Sequence, residues 1–469
     1  MTADRNLRKA ARVSSNYFAR LNNPVFDRVQ RRLIKVLYDL WKKDGAEKAD
    51  RERKLLFYAG AIKSRWLEDE IESMRGGVAF ESPFGGAKAP APENARPDRR
   101  WQDLAAALSS RHGMEVVLLD YIPVEMRDRI LLFVSDRQDV KLLELPATWE
   151  KTTATVRELQ SLLRKSLELY SDLRSSKRRD PALENDIAKL EAEILDRLTT
   201  LGSSLVPESV AARIRDKSVV VAPFGALHNV PFPALRVGGG GQPRYLIDHV
   251  ARLANTPSVN ALTLVLERYI KIAPDRVSKV LLAGNPKEPG LGAVEEFAAV
   301  RAAFPEAGDT SAGAGLRELM RSRSALHFVA HAFFDARNTA RSGILLGDGI
   351  LNLADIAMLE LDKTRLVSMG SCETGQADVS RAGDEVWSLA TAFMFAGVPA
   401  VVGYQWRLDS VSSREFYGRF YRGLAGGQNV GNSFRAAMLA VRGRPRNAAP
   451  PLLGNASPCY WAGFHLIGE

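Results

Sequence analysis

The chain has 469 residues, 46% hydrophobic and 26% charged, with a formal net charge of +10 and a mean hydropathy of −0.16. That length accommodates two or three domains, and no apolar run approaches the roughly 18–20 residues that a membrane-crossing helix needs. Two cysteines exclude a disulfide framework and lead to the expectation of a reducing, cytoplasmic setting.

The charge is uneven. Residues 1–75 carry 18 Lys and Arg against 11 Asp and Glu. The opening "MTADRNLRKAARVSSNYF" lacks the apolar centre and small-residue cleavage site of a secretory signal. A basic arm of this kind meets nucleic acid, an acidic membrane surface or an acidic protein, but solvated helix faces account for it equally well; nucleic acid is the less favoured partner. In "NNPVFDRVQRRLIKVLYDLWKK" Asn23 is placed to cap and Pro24 to open a helix, with Phe26, Val29, Leu33, Leu37 and Leu40 on one face. A second helix is expected in "RERKLLFYAGAIKSRWLEDEIESM". Residues 76–100 are rich in Gly, Pro and Ala and read as a linker.

From 101 to about 215 a small α+β module is expected. "MEVVLLDYI", "DRILLFVSD" and "VKLLELP" read as three strands of a meander, followed by long helices around 147–176 and 181–201. Asp180–Pro181 marks the second helix start. After 216 short apolar strands alternate with helical stretches, the pattern of a parallel α/β sheet. The strands are "KSVVVAP", "SKVLLAGNP", "ALHFVAH", "TRLVSMGSC" and "PAVVGYQW"; the helices fall near 292–304, 312–322, 384–397 and 409–424. The glycines of "VGGGGQP" do not follow a strand and open a helix, so they read as a loop and not as a phosphate cradle.

Two of the six histidines, His327 and His331, stand four apart in "ALHFVAHAFFD". The glutamate of a H-E-x-x-H zinc motif is absent, Phe328 stands in its place, and the segment reads as a strand, so no metal site is expected. His327 lies inside the apolar run and reads as a satisfied interior histidine. His331 ends the strand, at the carboxyl edge where open parallel sheets bind ligands. Cys372 holds the equivalent place after "TRLVSM". Neighbouring strands would bring imidazole and sulfur together as base and nucleophile, the imidazolium favouring the thiolate; spacing alone leaves a structural Cys and His open. Cys459, among aromatics in "SPCYWAGF", reads as structural.

The sequences around these residues resemble the CHAT family, caspase-like cysteine peptidases related to separases, gingipains and clostripain. The resemblance is carried in order by "VVVAPFGALHNVPFPAL", "YLIDHVARLANTPSVNAL", "HFVAHAFFD…SGILL", "LVSMGSCETGQADVSRAGDEVWSLATAFMFAGVPAVVGYQWRLDS" and "ASPCYWAGFHLIG", with "LLDYIPVEMRDRILLFVSDRQDVKLLELP" similar to the segment that precedes the domain. It implies a caspase-like, mostly parallel sheet flanked by helices over 216–469, an accessory α+β module at 101–215, and a short helical segment at 1–75 joined by the 76–100 linker. It also implies His331 as general base and acid, Cys372 as nucleophile, and the backbone N–H groups of Ala332 and Cys372 as oxyanion donors, with no metal or cofactor. The family often has His-Gly where this chain has His331-Ala332.

Asp409, after the strand end in "GYQWRLDS", resembles the position from which separase-like relatives present an acid to the S1 pocket, which would select Arg or Lys; it is equally placed to cap the helix that follows. The expected function is cleavage of a specific partner protein under control of a regulatory protein or activator, in a bacterial defence or death-like pathway. The rival expectation is a non-catalytic scaffold of the same fold that docks nucleic acid or an acidic partner through its basic arm.

Overall fold

The computed structural model describes residues 24–43, 48, 51–52, 55, 97–175, 180–238, 244–270, 276–284, 292–310, 315–333, 342–347, 349–370, 389–406, 408–443 and 457–468. Most of the second expected N-terminal helix, most of the 76–100 linker and most of the glycines of "VGGGGQP" lie outside these residues.

Sixteen strands are described: β1 (Val116–Val124), β2 (Arg129–Ser135), β3 (Val140–Glu144), β4 (Ser218–Ala222), β5 (Arg236–Val237), β6 (Arg244–Tyr245), β7 (Arg252–Asn255), β8 (Val280–Gly284), β9 (Gly308–Thr310), β10 (Ala325–Val329), β11 (Ala332–Phe333), β12 (Gly343–Leu346), β13 (Gly349–Asn352), β14 (Leu366–Met369), β15 (Ala400–Tyr404) and β16 (Phe464–Gly468). Eleven form one sheet in the order β3-β2-β1-β4-β7-β16-β15-β14-β10-β8-β9. The expected meander is its antiparallel end, β3-β2-β1. From β1 through β4 to β7, and from β15 through β14, β10 and β8 to β9, neighbours are parallel. The structure is therefore the expected α/β architecture, a large and mostly parallel sheet flanked by helices.

The sequence makes such a sheet because its strands are apolar on both faces, as strands covered by helices on each side must be. All nine residues of β1 are buried. Val117, Leu119 and Tyr121 join one core, under the helices Trp149–Ser175 and Pro181–Leu205. Val116, Leu118 and Ile122 join another on the opposite face, under the helices Pro24–Trp41 and Pro97–His112. Pro181–Leu205 starts as expected: the Asp180 carboxylate accepts from the N–H groups of Ala182 and Leu183, and Pro181 occupies the first helical position.

The helix Pro24–Trp41 forms, and of its expected face Leu37 is buried and Leu33 packs partly buried against the core. Ile34, Leu37, Tyr38 and Trp41 are buried, whereas Leu40 is 41% exposed. Its orientation is set by polar anchors on the sheet: the Tyr38 hydroxyl donates to Glu144 at 3.1 Å, and Arg127 binds the Asp39 carboxylate with two hydrogen bonds of 2.8 and 2.7 Å. The helix Pro97–His112 was not legible in the sequence, because its apolar positions are few and Gly- and Pro-rich chain runs up to it.

The C-terminal strand β16 lies between β7 and β15, antiparallel to β15 over five residue pairs from Ala400↔Gly468 to Tyr404↔Phe464. It carries His465 into the interior, where neither ring nitrogen has a hydrogen-bond partner among the described residues. Burial disfavours the charged ring and holds the imidazole down from 6.5 to about 4. The unfolded chain then binds a proton near pH 6.5 that the folded chain refuses until about pH 4. This histidine therefore costs no stability above pH 6.5, costs more as pH falls from 6.5 toward 4, and reaches a plateau of about 3 kcal/mol below. In urea unfolding at pH 7.5 and at pH 4.5, His465→Leu is expected to lose less stability than wild type on acidification, by roughly that amount; equal losses in the two proteins would contradict the assignment.

Candidate functional site

Of the residues expected to react, His331 stands just past the end of β10, beside the end of β14. The two strands are parallel and directly bonded, with His327 opposite Ser368 and Phe328 opposite Met369. The pairing continues one step beyond β14, where the N–H of Gly370 donates to the Phe328 carbonyl at 2.6 Å. His331 follows two residues after β10 and is half-buried. Cys372 lies outside the described residues; Gly370, half-buried, is the last one before it. His327 and Ser368 form one rung, and His331 and Cys372 each follow it by four positions along the chain.

Beyond His331 the chain enters β11, the outer strand of a small sheet ordered β11-β12-β13. The His331 carbonyl accepts from the Leu345 N–H at 2.7 Å, and Ala332 pairs with Ile344. A trans peptide directs its C=O and N–H oppositely, so a 331–332 peptide with its carbonyl on β12 turns the Ala332 N–H away from β12.

His327 is buried completely and sits in a polar cluster beneath the strand ends. Its Nδ1 is 2.7 Å from the Ser368 hydroxyl, which is 2.5 Å from the Tyr421 hydroxyl. Its Nε2 is 3.1 Å from Oε1 of Glu296, a residue only 2% exposed, in a contact close enough for an ion pair but bent away from hydrogen-bond geometry. The other oxygen of Glu296 accepts from the Ser413 hydroxyl, which also bonds Tyr404. The interior reading of His327 fits this placement. Glu296 was missed from the sequence, yet a signal was there: in the helix Ala293–Arg301 it shares the buried stripe with Ala293, Phe297 and Val300, a carboxylate where the spacing calls for an apolar side chain.

Asp409 caps the helix Ser410–Ala425. Its Oδ1 accepts from the N–H groups of Val411 and Ser412 at 3.1 and 3.2 Å, and its Oδ2 from the Ser412 hydroxyl at 2.7 Å. Cys459 is fully buried; Ser457 donates to its sulfur at 3.1 Å, and its carbonyl accepts from the Trp406 indole at 2.9 Å. Burial pushes its thiol up to about 12, which removes it from thiolate chemistry at neutral pH. Among the described residues, no three His, Cys, Asp or Glu side chains cluster as metal ligands would, and no helix is long and apolar enough to cross a membrane.

The family model of the CHAT domain matches residues 189–469. Two solved structures of the Saccharomyces cerevisiae separase–securin complex share the fold: one with a TM-score of 0.54 at 10% identity, covering 79% of this chain, the other with 0.52 at 9%, covering 99%. The chain spans 31% and 40% of the length of those chains. No curated protein matches the sequence.

The burial of Cys459 gives an expectation for labelling. Iodoacetamide applied to the native chain at pH 7.5 should modify Cys372 and leave Cys459 intact, and both should react once the chain is unfolded in guanidinium; peptide mass spectrometry distinguishes the two sites. Native labelling of Cys459 would contradict the buried placement.

Proposed function

Because the chain belongs to the CHAT domain family, whose fold it shares with the separase–securin structures, we propose that it is a cysteine endopeptidase in which His331 and Cys372 form the catalytic dyad. The observation that supports this reading is the rung His327–Ser368 on two bonded parallel strands, since His331 and Cys372 each follow it by four positions in the sequence. His331 takes the thiol proton and the sulfur attacks the scissile carbonyl carbon. The oxyanion that forms is met by the N–H groups of Ala332 and Cys372. As the tetrahedral intermediate collapses, the C–N bond breaks and His331 returns the proton to the leaving amine, leaving a thioester on Cys372. Water, deprotonated by His331, hydrolyses that thioester and restores the thiol.

The substrate is proposed to be a partner protein, with a basic residue before the cut if Asp409 reaches the S1 pocket. Capping does not exclude that role: Asp409 follows the end of β15 in the chain and is half-buried. A regulatory protein or activator is proposed as well, acting through the basic residues 1–75 or through another surface, in a defence or death-like pathway. The parallel is that the separase neighbours were solved with securin. The division into the 1–75 segment, the 101–215 module and the 216–469 peptidase unit is part of the same proposal.

A panel of fluorogenic peptides with Arg, Lys, Leu or Asp before the cut tests the reading. Cys372→Ala and His331→Ala are each expected to lower turnover by about 10³-fold or more. A cellular phenotype that survives Cys372→Ala would transfer the function to a non-catalytic scaffold. For Asp409, Asn caps a helix about as well as Asp, so Asp409→Asn separates charge from cap. The melting temperature should stay near wild type while kcat/KM on Arg and Lys peptides falls at least tenfold. An unchanged preference would leave Asp409 as a cap alone, and Asp409→Ala should then cost only about 1 kcal/mol of stability.

A further inference from the structure

The cluster beneath the strand ends is larger than a satisfied histidine requires. One chain of contacts runs through it: Tyr421 to Ser368, Ser368 to His327 Nδ1, His327 Nε2 at 3.1 Å from Glu296 Oε1 but outside hydrogen-bond geometry, and, from the other side, Tyr404 to Ser413 and Ser413 to Glu296. A branch is added by Tyr417, whose hydroxyl donates to the carbonyl of Met369 at 3.0 Å. The groups come from five elements: the helix Ala293–Arg301, β10, β14, β15 and the helix Ser410–Ala425. All of these side chains are buried. Burial raises the phenols of Tyr404, Tyr417 and Tyr421 well above the usual tyrosine value, so they remain donors at any working pH.

Three contacts tie this cluster to the expected site. Met369 and Gly370 are the residues that lead to Cys372, and Tyr417 holds the first by its carbonyl. Gly370 is the place where the carboxylate comes closest: a Cβ there would lie 2.1 Å from Glu296 Oε1, so only glycine admits the acid against the backbone two residues before the sulfur. The ring of His327 is walled by Tyr417 and Tyr421, with centroids at 4.6 and 5.4 Å and planes at 72° and 85°, which fixes its orientation on the rung. A core built for stability alone would place apolar side chains here, because a buried polar group left without a partner costs about 1–3 kcal/mol; rigid, fully used polar networks instead specify one arrangement.

We propose that Glu296, His327, Ser368 and Tyr421 are positioning residues of the dyad: they lock β10 to β14 at the His327–Ser368 rung and press the Gly370 turn into place, so that His331 and Cys372 leave the sheet at matching heights. This rests on the dyad reading given above. Its distinguishing consequence is that the network controls the reactivity of Cys372 without touching it. If the imidazole is set against the sulfur, the thiolate forms at lower pH; if the network slackens, the sulfur reverts toward an ordinary thiol while the fold persists.

The test needs no substrate. The full chain is alkylated with iodoacetamide between pH 5 and 10, and the rate at Cys372 is followed by peptide mass spectrometry, beside thermal melts. Tyr421→Phe removes one hydroxyl from the network. Tyr121→Phe removes an equally buried hydroxyl, bonded to the Leu205 carbonyl at 2.9 Å, from the distant meander. Tyr421→Phe and Glu296→Ala are expected to slow alkylation at pH 7 at least tenfold and to shift the profile upward. Glu296→Gln should recover most of the rate, and Tyr121→Phe should keep the wild-type profile despite a similar loss of melting temperature. A wild-type profile in folded Tyr421→Phe and Glu296→Ala, together with a profile that collapses in His331→Ala, overturns the positioning role and leaves the dyad standing. A wild-type profile that ignores His331→Ala removes the dyad itself, and the positioning role with it.

Discussion

The pairing of β10 with β14 is the constraint on which the rest of the molecule turns. Side chains alternate along a strand, so a slip of one residue would send every side chain of β10 to the opposite face. His327 would then leave Ser368, Glu296 would be left buried without its imidazole, and the strand would release His331 at a different height from the turn on β14. Apolar pairing alone tolerates such a slip poorly, and a buried polar rung tolerates it less, since each displaced group loses its partner in a low-dielectric interior. The observed register, His327 on Ser368, is thus held by packing and by hydrogen bonds together.

The surrounding sheet explains why that rung can be rigid. Eleven strands run from the β3-β2-β1 meander to β9, with helices covering both faces. The meander is bonded to β4 through β1, so the segment preceding the peptidase-like region does not sit apart as a separate sheet; it extends the same one. Residue 189, where the family match begins, lies inside the helix Pro181–Leu205, whose buried residues pack into the core shared with β1 and β4. β16 then closes the sheet from the C-terminal end of the chain. Its insertion between β7 and β15 joins the earlier strands to the later ones, and it brings His465 into a place where a charged imidazole is penalised.

Much of this was legible because it depends on local pattern. The strands that carry His327 and Ser368 are short apolar runs bounded by turn residues, Asp180 and Pro181 announce a helix start, and a histidine at a strand end differs visibly from one inside the strand. Leu40 was misplaced on the buried stripe of the helix Pro24–Trp41 because several 3–4 spaced faces are apolar in that segment, and the helix is also held by Glu144 and Arg127, more than eighty residues away. Asp409 was readable as a cap from residue type and position, whereas the proposed S1 role depends on what approaches it in space.

By itself the sequence determined the alternation of strands and helices, and the equal separation of His331 and Cys372 from His327 and Ser368, because these are properties of order along the chain. Only the tertiary structure decided that β10 and β14 are neighbours, that β16 enters between β7 and β15, and that Glu296, an unremarked acid in an ordinary helix, stands against His327 and the backbone of Gly370. The physical reason is that strand order and buried polar contacts join residues from 31 positions apart (Glu296 and His327) to 212 (Asn255 and Ile467), and no local preference of the chain encodes which of the many compatible partners will be met.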